Sequence, residues 1–287
     1  MEHPSPQRTE APPAPGEREA RSGAGAGPSP GAVLRARLVL LGFALRNLLY
    51  MNYASLIRPR LWWLRRTGRE AQVEAIIERI SREWAQHVFR SIGCRVEVEG
   101  AELVPREGPV VVMPNHQSLF DIPLVVGWLG RPVGFVFKRE LLRIPGMRYW
   151  MFQINSHPVD RSEHREAAEQ YDRWGEELQR SGRCLVLFPE GTRSRDPDGR
   201  IGPFRRGVIR LAGPRRIPVL PIVIDGTRFL VRPEELARTP PGERVVRMRI
   251  LPPRVTEPMN APEAKRFMEA LREAIVSTRE SIRVHWR

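Results

Sequence analysis

The stretch Asn115-His116-Gln117-Ser118-Leu119-Phe120-Asp121 follows directly on the apolar run Pro109-Val110-Val111-Val112-Met113. β-Branched residues that give way to polar ones describe a buried strand delivering its last side chains to a sheet end, where α/β proteins keep their chemistry. Five residues of continuous helix turn through about 500°, which leaves two side chains about 140° apart. His116 and Asp121 can therefore meet only across a turn or a loop-to-helix junction. An aspartate that accepts from one imidazole nitrogen fixes the tautomer, leaves the other nitrogen free to take a proton, and stabilises the imidazolium. The pair is a candidate general base. Taken alone, a His five residues before an Asp is more often a structural or capping pair, so the rest of the chain must decide.

Two more strand ends carry chemistry. Pro132 to Phe137 reads as a strand running into Lys138-Arg139-Glu140, and Leu185-Val186-Leu187-Phe188 as a buried strand running into Pro189-Glu190-Gly191-Thr192-Arg193. Gly191 permits a tight turn whose backbone N–H groups can face an anion, Thr192 adds a hydroxyl, and Arg193 can grip phosphate with two hydrogen bonds. Arg161, immediately after a short strand, offers a second guanidinium. In a parallel sheet, ends far apart in sequence converge on one edge. His157 near that strand is read as a structural or pocket-wall residue.

The elements that must position these groups follow from pattern. With 287 residues, 41% of them hydrophobic, the chain can bury a large α/β core with appendages. Residues 1–31 are Pro, Gly, Ala, Ser and charges, with little to bury, and are expected to be a disordered tail without the pattern of a secretory signal. From 32 to 64 the chain turns to Leu, Val, Phe, Tyr and Trp. Its uncharged apolar runs fall far short of the roughly 18 to 20 residues of a spanning helix. Leu34, Leu38, Leu41, Leu45 and Leu48 form one band, and Trp62-Trp63 with Arg65-Arg66 add interfacial anchors, so this segment either lies in a headgroup layer or packs on the globular domain. Glu70 to Ile92 has a clear helical period and completes an N-terminal amphipathic helical hairpin over 32–92. Beyond Gly93, strands alternate with helices. The expected fold of 93–287 is α/β, a mostly parallel mixed sheet flanked by helices.

The net charge of +14, carried almost wholly by arginine, favours an anionic partner such as a phospholipid surface, an acidic substrate or nucleic acid. No nucleic-acid-reading motif is visible, which disfavours a basic binding module. Cys94 and Cys184 show no zinc-ligand spacing and read as buried, reduced thiols.

The order of the blocks is specific. Asn-His-Gln-Ser-x-x-Asp at 115 to 121, Lys-Arg-Glu-Leu at 138 to 141, Val-Asp-Arg at 159 to 161, Phe-Pro-Glu-Gly-Thr-Arg-Ser at 188 to 194, and Ile-Pro-Val-Leu-Pro-Ile-Val at 217 to 223 resemble the glycerolipid acyltransferase family. Within it, the chain is most similar to the bacterial 1-acyl-sn-glycerol-3-phosphate acyltransferases, over roughly residues 95 to 230. The resemblance implies that His116, oriented by Asp121, is general base on the sn-2 hydroxyl of lysophosphatidic acid. The hydroxyl would attack the thioester of acyl-CoA or acyl carrier protein directly, giving phosphatidic acid, with no other cofactor and no metal. Lys138, Arg161, Glu190, Gly191, Thr192 and Arg193 would bind substrate. It also implies an anionic membrane surface as partner, and a peripheral or monotopic position on the cytoplasmic face of the inner membrane. Other lysolipids or glycerol 3-phosphate remain alternative acceptors, because the family's Gly-x-x-Phe-Ile-x-Arg block reads Asn155-Ser156-His157-Pro158-Val159-Asp160-Arg161 here.

Overall fold

The computed structural model describes residues 27–144, 146–159, 164–194 and 196–286. Most of the expected tail, and Arg161, lie outside them. Within the described residues, strands β1 (Cys94–Glu99), β2 (Val110–Pro114), β3 (Val133–Lys138), β4 (His157–Val159), β5 (Cys184–Val186), β6 (Val219–Asp225) and β7 (Arg244–Ile250) form one sheet in the order β1-β7-β6-β2-β5-β3-β4. Every pairing is parallel except β6 with β7. The fold is the expected mixed, mostly parallel sheet flanked by helices.

The side-chain period of two splits the central strand between two cores. Val110 and Val112 face Val88 and Phe89 of α3 (Glu70–Ser91) and Leu124 and Val125 of α4 (Asp121–Trp128). Val111 and Met113 face the other layer, built from α6 (His164–Ser181), α7 (Gly207–Ala212) and α9 (Ala261–Ser281). Covering both faces is what the near-continuous apolar reading of β2, β5 and β6 requires. The helix α9 starts at a capping box: Asn260 Oδ1 accepts from Glu263 N at 3.0 Å and Glu263 Oε2 from Asn260 N at 2.8 Å.

The N-terminal segment forms α1 (Pro30–Ala54), a tight 3-10 turn at Ser55–Ile57, and α2 (Arg58–Arg66), which with α3 make a hairpin-like element. Its two possible roles fall on two faces. Ala36, Leu40 and Phe43 pack on the core, the Phe43 ring stacking on Phe120 at 5.6 Å. Leu34, Leu38, Leu41, Leu45 and Leu49 face outward, Leu41 being 67% exposed. Leu48, expected in the outer band, is half-buried, and Leu49 takes its place. Among the described residues, no helix is long and apolar enough to cross a membrane. Cys94 and Cys184 are buried free thiols, pushed up by burial to about 12 and about 11.

Candidate active site

The sheet order places β2, β5 and β3 side by side, so the loops after all three open on the same edge. Asn115 anchors the first. Its amide donates to Ile224 O at 2.9 Å and accepts from Ile224 N at 2.7 Å, extending the β2–β6 ladder by one side chain. The chain then turns into α4, whose first residue is Asp121. Asp121 is fully buried, and its Oδ2 accepts from His116 Nδ1 at 2.8 Å and from the backbone N–H groups of Gln117 at 2.7 Å and Ser118 at 2.9 Å. The Thr227 hydroxyl donates to Oδ1. A carboxylate tied at four points cannot swing, and it holds the Nδ1 proton of His116. The neutral imidazole then carries its lone pair on Nε2. Phe188 stacks on the His116 ring at 3.8 Å between centroids, fixing its plane.

The Glu190–Ser194 block clamps the same histidine by its backbone. Glu190 Oε1 accepts from His116 N at 2.8 Å, and Ser194 N donates to His116 O at 2.9 Å. Glu190 Oε2 accepts from Gly202 N at 3.0 Å. Both oxygens of this buried carboxyl are thus engaged by backbone, and Glu190 braces the site rather than presenting a group to a ligand. Burial pushes its pKa up, against the downward pull of the two backbone N–H groups and of His116. Gly191 is needed for conformation: its φ is +69°, and a Cβ there would lie 2.9 Å from Arg205 Nε. Its N–H donates to Phe188 O at 3.1 Å, so it closes the turn instead of facing an anion.

A cleft of about 920 Å³ runs along the edge. His116, Lys138, Thr192 and Arg193 line it, together with apolar Phe135, Phe137, Leu141, Val159, Leu187 and Phe188. Lys138 is exposed at the end of β3, 2.7 Å from Glu140. Arg205, Arg206 and Arg210, which the sequence reading did not single out, add charge at the start of α7. Pattern could have found the first two, because Arg205 and Arg206 come after the Glu-Gly-Thr-Arg block and directly before a buried helix that itself carries Arg210. The cleft therefore pairs a proton acceptor with an apolar wall and a basic mouth. It can deprotonate a hydroxyl beside a long apolar chain and a phosphate. Among the described residues, no three His, Cys, Asp or Glu side chains gather as metal ligands would.

Three other residues have clear structural roles. Asn155, where the related pattern has glycine, has φ +55°. Asn tolerates the left-handed region better than most residues, so this departure keeps the backbone turn. Pro158 sits on β4 at the sheet edge, where a missing N–H leaves no interior ladder broken. His157 stacks on Trp174 at 5.4 Å, and burial lowers its pKa while Glu177 at 3.9 Å raises it.

Asp225 was missed altogether. Its Oδ1 accepts from Gln117 Nε2, Arg228 NH1 and Arg279 Nε, each at 2.8 Å, and its Oδ2 from Val284 N at 2.7 Å. It ties the His116 loop to the C-terminal helix. The signal was present in Val219 to Ile224 ending in Asp225-Gly226-Thr227-Arg228, the same apolar-to-polar switch that marked His116.

The profile described as Acyltransferase matches residues 95–225. The chain is 32% identical to the 1-acyl-sn-glycerol-3-phosphate acyltransferase of Saccharomyces cerevisiae over 201 residues, 68% of this chain and 64% of that protein. It is 38% identical to the enzyme of that name from Pseudomonas aeruginosa over 137 residues, 48% of this chain and 52% of that protein. These matches span less than two thirds of either relative. The crystal structure of the 1-acyl-sn-glycerophosphate acyltransferase PlsC from Thermotoga maritima superposes with a TM-score of 0.68 at 28% identity, covering 89% of this chain and 99% of that one.

Proposed function

The chain belongs to the glycerolipid acyltransferase family, and on that premise we propose that it transfers a fatty acyl group from a thioester to the sn-2 hydroxyl of 1-acyl-glycerol 3-phosphate. The observation that carries this reading is the His116–Asp121 pair at 2.8 Å in the wall of a cleft that is apolar on one side and basic at its mouth. His116 Nε2 takes the hydroxyl proton as the oxygen attacks the thioester carbonyl. Asp121 stabilises the imidazolium that forms. Collapse of the tetrahedral intermediate forms the ester, breaks the carbon–sulfur bond, and returns the proton to the departing thiolate. No acyl-enzyme is needed. The acyl chain lies along Phe135, Phe137, Leu141 and Leu187, and Arg193 and Lys138 supply the positive charge that draws the phosphate-bearing substrates. Glu190 and Gly191 serve the site through backbone geometry.

The test is transfer of a labelled acyl group from acyl-CoA and from acyl carrier protein to a panel of acceptors. Phosphatidic acid is the expected product from lysophosphatidic acid. Preference for another lysolipid or for glycerol 3-phosphate would move the acceptor, and no transfer with either donor would overturn the reading.

The outward leucine band of α1 and the tryptophans of α2 support a monotopic seat on an anionic membrane. Arg66 lies over Trp62 at 4.7 Å and Arg69 over Trp63 at 5.0 Å, a pairing of cation and ring that suits a headgroup boundary. Replacing Leu41, Leu45 and Leu49 together with Ser should cut co-flotation with anionic liposomes at least tenfold and leave the circular dichroism spectrum unchanged, since these side chains face outward. Undiminished flotation would discount this face.

A further inference from the structure

A second pocket, of about 310 Å³, lies behind the wall formed by Thr192 and Arg193, which line both it and the His116 cleft. Its other sides include Gln117, Ser194, Arg228 and Arg232. We propose that this pocket seats a phosphate ester of one of the two substrates, with Arg228 and Arg232 as its binding residues alongside Arg193. This inference rests on the acyltransferase reading, in which both acceptor and donor carry phosphate.

The electrostatics come from the Asp225 cluster. Arg228 is 6% exposed and Arg279 4% exposed, and both bind one fully buried carboxylate, so that this cluster of one acid and two bases carries a formal charge of +1. Asp225 Oδ1 already accepts three hydrogen bonds and Oδ2 one. Arg228 Nε is buried and has no partner among the described residues. Burial works against the charged form of Arg228 while Asp225 favours it. Two buried cations that share one carboxylate are only partly compensated, and an anion beside them lowers the remaining cost.

The walls suit phosphate. Gly199, at φ +70°, lets the 196–199 turn close on the cluster, since a Cβ there would lie 3.0 Å from Arg228 NH1 and 3.2 Å from Arg279 NH2. Arg232 NH2 donates to Pro197 O at 3.0 Å, holding that guanidinium at the rim. The acid on the wall is Asp196, which is engaged by Asp198 N at 2.8 Å and lies 3.7 Å from Arg200 Nε. Three guanidiniums and the Thr192 hydroxyl offer the forked donors that a tetrahedral phosphate uses.

Inorganic phosphate is the first probe. In the full-length protein, replacing sodium chloride by sodium phosphate at constant ionic strength should raise the thermal midpoint. Arg232→Gln and Arg228→Gln should each weaken the apparent phosphate affinity roughly ten- to a hundredfold. Should Arg228→Gln fail to fold, Arg232→Gln carries the test, because its side chain is outside the buried cluster. Steady-state kinetics then separate the sources. A raised KM for the lysolipid alone assigns the seat to the acceptor, and a raised KM for the acyl donor alone assigns it to phosphopantetheine. The proposal is overturned if phosphate gives the wild type no stabilisation, if Arg232→Gln binds phosphate as the wild type does, or if neither KM moves. Arginine-dependent phosphate binding in a protein that transfers no acyl group would support the seat and defeat the acyltransferase reading.

Discussion

His116→Ala is expected to lower kcat by about two to four orders of magnitude, the span that a positioned general base contributes. Fold and liposome binding should be unchanged, because the imidazole contributes one ring stacked on Phe188 and one bond to Asp121, both at the edge of the sheet. Asp121→Asn should lose nearly as much for a different reason. The Oδ2 position accepts from three N–H donors at once, and an amide nitrogen placed there would face all three. An amide turned the other way would lose the Thr227 hydroxyl instead. In the first orientation the imidazole tautomer is no longer held with its lone pair on Nε2, and in the second the neutral amide no longer stabilises the imidazolium. Initial rates of labelled acyl transfer, with circular dichroism and flotation run in parallel, measure this. Near-normal turnover by His116→Ala would remove that residue from the mechanism.

Asp225→Ala is expected to have the largest effect on stability, a loss of about 3–5 kcal/mol, because it strips the counter-ion from two buried guanidiniums. It also frees Gln117 Nε2 and Val284 N, so the His116 loop and the C-terminal segment lose a common anchor. A domain whose whole stability is about 5–15 kcal/mol would show this as a large drop in denaturant midpoint. Asp225→Asn, which keeps the shape and one acceptor, should fall between. Urea unfolding followed by tryptophan fluorescence reads both variants. A change below about 1 kcal/mol in Asp225→Ala would mean that water replaces the carboxylate and that the cluster is not as buried as its exposure indicates.

Several features of the site follow from local pattern because they are local in origin. The run Val110 to Met113 is all β-branched or apolar, which specifies a strand covered on both faces. The polar residues after it must then emerge at a sheet end, and the five-residue spacing allows His116 to meet Asp121 only across the junction that is observed. The helical period of 70–92 and the dual apolar and basic character of 32–64 were equally plain. What period does not resolve is which leucines of α1 face outward, since Leu48 and Leu49 differ by one position and their sides depend on where α8 (Pro233–Arg238) and the Phe120 ring meet the helix.

Glu190 marks the limit from the other direction. Its sequence context, an acid in a Gly-Thr-Arg turn after a buried strand, reads as a ligand-facing group, and its structure is that of a brace. Its partners are the backbone N–H groups of His116 and Gly202, 74 and 12 residues away. Asp225 meets Gln117 across 108 residues and Arg279 across 54. Residue type and spacing alone therefore determined the strand ends, the His116–Asp121 pair and the basic, amphipathic character of the chain. Those depend on side-chain period, turn geometry and charge, which act within a few residues. Only the tertiary structure decided that β2, β5 and β3 lie side by side, that Glu190 faces inward, and that Arg228 stands over a second pocket. Strand order and buried partners are set by which distant surfaces exclude water together, and no local spacing encodes that choice.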